Sequence, residues 1–159
     1  MLGLLGVLAP ASAEGYGRWE AETNTCTLRT EAQAPDSGAR PQTCRAIRLE
    51  QNLEGMLTVR FLSTGVAEDV AVEQLIFVGQ LATGQEPMRC NREARCDPQW
   101  PTSLTVTTVA ASRYSPRGLL ISLPRTHLAR GSCRLEERQL RCEARSTSGG
   151  ASWEAEARR

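Results

Sequence analysis

Lysine is missing from this chain: all nineteen basic residues are arginine. An all-arginine set suits bidentate contacts to carboxylate, sulfate or phosphate groups. A coding bias toward arginine yields the same composition with no function attached, and that is the plainer reading.

Histidine is nearly as scarce, with His127 alone in Pro124-Arg-Thr-His-Leu-Ala-Arg-Gly131. Any Ser-His-Asp or Cys-His arrangement would have to use it. No Gly-x-Ser-x-Gly elbow accompanies it, so His127 is expected in a solvent-facing loop. Aspartate occurs only at Asp36, Asp69 and Asp97, too scattered for a calcium loop, and no phosphate loop or nucleotide fingerprint appears. The chain is therefore expected to carry no cofactor and no metal. Aromatic residues are few, with three Trp, two Tyr and two Phe, which predicts a modest, aliphatic core. A membrane-spanning helix needs roughly 20 mostly apolar residues, and no stretch reaches that length.

The formal net charge is +1, which excludes strong bulk attraction to nucleic acid or to a membrane. Its distribution is uneven. Glu14 to Leu75 holds six Arg against ten acidic residues, whereas Ile76 to Arg145 holds eleven Arg against six.

At the N-terminus, the apolar run Met1 to Leu8 leads to Ala11-Ser12-Ala13, the core and cleavage box of a secretory signal peptide spanning residues 1–13. The basic residue that normally opens such a peptide is absent, which points to a start upstream of Met1. Residues 14–159 then suit one exported domain, since domains run about 100–150 residues. The expected destination is a periplasm or the cell exterior.

Six cysteines agree with export, because oxidising compartments let thiols pair. They form three neighbouring couples: Cys26 with Cys44, Cys90 with Cys96, and Cys133 with Cys142. Structural zinc usually takes tight clusters such as Cys-x-x-Cys, and none occurs. Structural disulfides in or beside hairpins are the reading, with connectivity open on sequence grounds alone.

Period-two alternation recurs along the chain and predicts an all-β, mainly antiparallel fold. Trp19 and Ala21 alternate with Glu20 and Glu22; a short strand follows from Cys26 to Thr30, and Ala34 to Gln42 is turn chemistry. Thr43 to Gln51 and Met56 to Ser63 read as strands joined by a loop at Asn52 to Gly55. Ala67 to Gln74 is ambiguous with a helical turn, but Val72 to Gly79 is expected as a central strand. Leu104 to Ala110 is β-branched, and Leu119 to Leu123 reads as a short apolar strand stopped by Pro124.

The sharpest local expectation is Cys133 to Cys142. A two-residue turn at Glu137 and Arg138 sets Leu135 opposite Leu140 and Cys133 opposite Cys142. Trp19-Glu-Ala-Glu22 and Trp153-Glu-Ala-Glu156 are the same tetrapeptide in two strands. Adjacent, they would set carboxylates against one another, so the last strand is expected to pair instead with Leu140 to Arg145. About nine to eleven short strands suggest a disulfide-stapled β-sandwich or partly closed barrel.

The candidate site is Met88 to Trp100. A small bridge-closed loop there would present Arg89, Arg92 and Arg95 beside Trp100, an anchor set for an anionic glycan or an acidic protein surface. The competing reading is a surface hairpin kept closed by its bridge, with Trp100 as a lid on the core. The carboxylate pairs Glu20/Glu22 and Glu154/Glu156 are expected on solvated faces, away from any sugar cleft. Function is therefore expected to be non-enzymatic: an exported binding, adaptor or envelope-associated module whose partner is unspecified. The alternative is a small extracytoplasmic enzyme or enzyme inhibitor acting through a surface loop.

Overall fold

The computed structural model describes residues 15–32, 41–65 and 68–159. The signal-peptide reading, most of the turn segment after Ala32, and Ala67 of the ambiguous segment lie outside the described residues.

Alternating apolar and polar residues make every described element a strand. They are β1 (Gly17–Glu22), β2 (Thr25–Ala32), β3 (Gln42–Thr43), β4 (Ala46–Gln51), β5 (Met56–Thr64) and β6 (Val72–Leu81). The remainder are β7 (Arg89–Cys90), β8 (Cys96–Asp97), β9 (Thr102–Tyr114), β10 (Arg125–Leu135), β11 (Gln139–Ser146) and β12 (Ala151–Arg158). Ten form one antiparallel sheet in the order β1-β4-β5-β6-β9-β10-β11-β12-β2-β3, and β7 with β8 makes a separate ribbon.

The sheet curls until its two ends belong to one bent hairpin. β1 and β2 are joined through Thr23 and Asn24 only, and β3 and β4 through Cys44 and Arg45 only. At this corner Thr23 N–H donates to the Arg45 carbonyl at 3.0 Å, and Asn24 N–H to the Arg158 carbonyl at 2.8 Å. Paired backbone thus runs from β12 through β2 and β1 into β4 and β5, and the fold is a partly closed barrel. The expected single strand from Thr43 to Gln51 is broken here because the chain turns the corner at Cys44 and Arg45.

A second bend falls on β9. Register slips occur against Val78/Gly79 on one side and Leu128/Gly131 on the other, both flanking Thr107. Bulges of this kind bend a strand and increase its twist. A Cβ on Gly131 would lie 2.5 Å from the Ala144 Cα, so the inward bend there demands glycine.

Inward residues fill the barrel. Ile47, Leu49, Leu57, Val59, Phe61, Phe77, Leu104, Leu135 and Leu140 are fully buried, with the two Phe rings edge to face at 5.9 Å. β11 and β12 contribute Leu140, Cys142, Ala144, Trp153, Ala155 and Ala157 to the same core.

The Cys133 hairpin has the expected register. Cys133 lies opposite Cys142 and Leu135 opposite Leu140, closed by Glu136 N–H to Gln139 O at 2.8 Å around Glu137-Arg138. All three disulfides join the sequence neighbours, with Cα separations of 5.0, 4.0 and 4.0 Å. β12 pairs with β11 as expected, setting Arg141 opposite Glu156, while β2 supplies Arg29 opposite Glu154. Val72 to Gly79 lies within the central strand β6.

Two expectations are corrected. Leu119 to Leu123 is not a strand: only Leu120 bridges to Tyr114, and the segment is an exposed loop between β9 and β10. The apolar run extends past the end of its neighbours and has nothing to bury against. His127 is not in a loop but on β10, opposite Val109. The strand begins after Pro124, which has no N–H for the ladder.

Candidate functional site

The connection between β6 and β9 closes one mouth of the barrel. Ala82 N–H donates to the Ser103 carbonyl at 2.9 Å, and Ser103 N–H to Gln85 Oε1 at 3.1 Å, which folds the segment back under the sheet. Its anchor is Gln51, the last residue of β4, buried to 3% exposure. Met88 N–H donates to Gln51 Oε1 at 2.7 Å, and Gln51 Nε2 donates to the Met88 carbonyl at 3.3 Å. A buried amide with both functions used in this way is a docking peg, and the Met88 side chain beside it joins the core.

Beyond Met88 the chain forms the β7–β8 ribbon, bridged by Cys90 and Cys96 and ended by Asn91 to Arg95. Asn91 Oδ1 accepts from Glu93 N–H and Arg95 N–H, both at 3.0 Å, so the turn is held from inside. Ala94 sits at φ 58°, and its carbonyl accepts from Arg18 N–H at 2.9 Å. That contact needs Gly17: at φ 148°, any Cβ there would lie 2.7 Å from the Cys96 sulfur.

The ribbon displays Arg89, Arg92 and Arg95 to solvent. Arg89 lies 3.8 Å from the Glu86 carboxylate and opposite Asp97. Among the described residues, Arg18, Arg92 and Arg95 form no ion pair. Arg18 is the residue that sequence reasoning missed. It is seventy-odd positions away in the chain and is brought to Arg95 by a parallel bridge. Trp100 is partly buried, its ring edge-on to Trp19 at 5.4 Å, while the Arg159 guanidinium lies 4.9 Å over the Trp19 ring. Trp100 thus packs down on the core, as in the competing sequence reading, and its open side faces Gln85, Glu86 and Glu137.

The other titratable groups disperse. His127 lies 5.1 Å from the Trp153 ring, and its side chain makes no hydrogen bond among the described residues. Glu20 is held by Arg48 at 3.0 Å, and Glu156 by Arg158 at 3.3 Å and Gln139 at 2.9 Å, all on outer faces. At the opposite mouth Gln42 donates to Glu73 at 2.6 Å and Arg113 pairs with Glu73 at 3.3 Å, beside a cavity of about 130 Å³. No cluster of three His, Cys, Asp or Glu stands close enough to hold a metal ion among the described residues. No described helix is long and apolar enough to cross a membrane. Compared with models of protein families, with curated proteins and with solved structures, this chain matches none of them.

Proposed function

We propose that the protein is a non-enzymatic exported binding or adaptor module that engages an anionic partner through the bridge-closed arginine loop. The observation that carries this reading is the exposure of Arg92 and Arg95 on a turn fixed by a disulfide, an Asn cap and a docking peg, with Arg18 of β1 bridged to Arg95 and none of the three paired with a carboxylate among the described residues. A rigid presentation lowers the entropy lost on binding, and guanidinium groups grip carboxylates and sulfates in bidentate fashion. Acidic glycans and acidic protein surfaces are the chemical classes it fits. Three disulfides are compatible with an oxidising compartment. The barrel is apolar within and charged without, the reverse of one that spans a bilayer.

The test is retention on sulfated and carboxylated polymers at low salt. Arg92→Glu with Arg95→Glu is expected to shift elution to markedly lower salt while leaving the melting temperature within a degree or two, since both side chains are exposed. Unchanged retention removes the reading.

A further inference from the structure

The end of the barrel away from the arginine loop carries the most apolar exposed surface of the described residues. Leu119, Leu120, Ile121, Leu123 and Leu128 are 63, 43, 38, 87 and 70% exposed. Four of them lie in the loop that joins β9 to β10, and Leu128 stands on the outer face of β10, beside the inward Ala129. Single exposed leucines are ordinary, and Leu128, opposite Thr108 at mid-strand, is one of them, but four within five residues of the loop form a patch that calls for a partner.

We infer that this loop docks the protein on the surface of a lipid bilayer bearing anionic headgroups. Three observations select a bilayer over a protein groove. Leu119, Leu120 and Ile121 are consecutive, so they point to different sides of the loop, and all three are exposed; a bilayer surrounds such a tip, whereas a partner protein covers one face. Arg117 and Arg125 flank the tip, and no acidic residue occurs between Pro98 and Leu135, so the loop itself is cationic; Glu20 and Glu22, across the cavity lined by Ser115, Pro116 and Gly118, are balanced there by Arg45 and Arg48. The turn also satisfies much of its own backbone. Ser115 N–H donates to Leu119 O at 2.8 Å, Gly118 N–H to Ser115 O at 2.9 Å, Leu119 N–H to Ser115 Oγ at 3.3 Å, and Ile121 N–H to Arg113 O at 3.0 Å, while Pro116 and Pro124 have no donor to satisfy. Peptide groups bonded in this way enter the headgroup and acyl boundary at low cost.

Arg113, at the base, is already held by Glu73. Ala71 N–H donates to the Tyr114 carbonyl, which brings the connection carrying Glu68 and Asp69 to the base of the loop. The thirteen residues of β9 lie between the tip and the arginine loop, about 40 Å measured along the bent strand at the usual rise. A molecule lying on a bilayer by its tip therefore holds its basic loop out toward solvent.

The test is flotation of the disulfide-intact protein with vesicles of phosphatidylcholine, with and without phosphatidylglycerol. Binding is expected to the phosphatidylglycerol vesicles and to fall with salt. Leu119→Ser with Leu123→Ser should lower it about tenfold or more, with the thermal midpoint unchanged because both side chains are exposed. Arg117→Glu with Arg125→Glu should abolish the preference for phosphatidylglycerol. An Ile121→Trp reporter should blue-shift on binding and be quenched by brominated lipid. Failure to float, binding insensitive to the tip variants, or loss of binding in Arg92→Glu with Arg95→Glu would each overturn the inference. So would concentration-dependent dimerisation that the tip variants abolish, because a second copy would then be the occupant.

Discussion

Replacing Gln51 by leucine tests whether the arginine loop is docked as described. Gln51 is 3% exposed and spends both ends of its amide on the Met88 backbone, accepting at 2.7 Å and donating at 3.3 Å. Leucine has similar volume and fills the space, so the cavity contribution is small. What remains is a buried N–H and a buried carbonyl with no partner. A stranded buried donor costs about 1–3 kcal/mol, and the longer carbonyl contact adds less, for a total of roughly 2–4 kcal/mol. In a chain of this size that lowers the melting temperature by roughly 5–15 °C. Urea unfolding gives the energy, and amide exchange should show Met88 and the Asn91–Arg95 turn losing protection more than the strands do.

Gln51→Glu sharpens the test through its sign. Burial raises the introduced carboxyl above its unfolded value of about 4. The protonated form still offers one donor and one acceptor to Met88, so the variant is closest to the parent below that pH. Its stability falls as pH rises through the raised folded value and the acid must ionise against the Met88 carbonyl. A leucine variant within about 0.5 kcal/mol of the parent, with Met88 exchange unchanged, would refute the docked-loop reasoning.

Phe77→Ala removes a fully buried ring that meets Phe61 edge-on, and a loss of about 3–5 kcal/mol is expected by denaturant titration. Cys133→Ala with Cys142→Ala opens a bridge of sequence separation nine, costing about 2.5–3 kcal/mol on the chain-entropy estimate, while strand content by circular dichroism stays the same because the Leu135–Leu140 pair still sets the register. A larger collapse would mean that the bridge, not the hairpin pattern, defines the register.

The arginine site shows where sequence reading stops. Arg92 and Arg95 stand out locally because they sit between two cysteines six apart, with Arg89 directly before the first. Arg18 gives no such signal, because its place beside Arg95 depends on Gly17 admitting the Ala94 carbonyl. Gln51 likewise looked like an ordinary strand terminus. Its burial follows only once the chain between β6 and β9 folds back over the mouth, and glutamine carries no apolar signal to announce that.

By itself the sequence determined whatever depends on near neighbours. Alternation specified strands, because successive side chains in extended backbone must face opposite ways. The symmetry of Cys133 to Cys142 specified a hairpin, because turn length and register are coupled. The bridges joined cysteines that such hairpins bring together. Tertiary structure alone decided the closure of the sheet at Thr23 and Cys44, the bend at Thr107, the position of Arg18 and the fate of Leu119 to Leu123. An apolar run is a strand only where another strand lies beside it, and whether one does is settled by the length and curl of the whole sheet, which no local window contains.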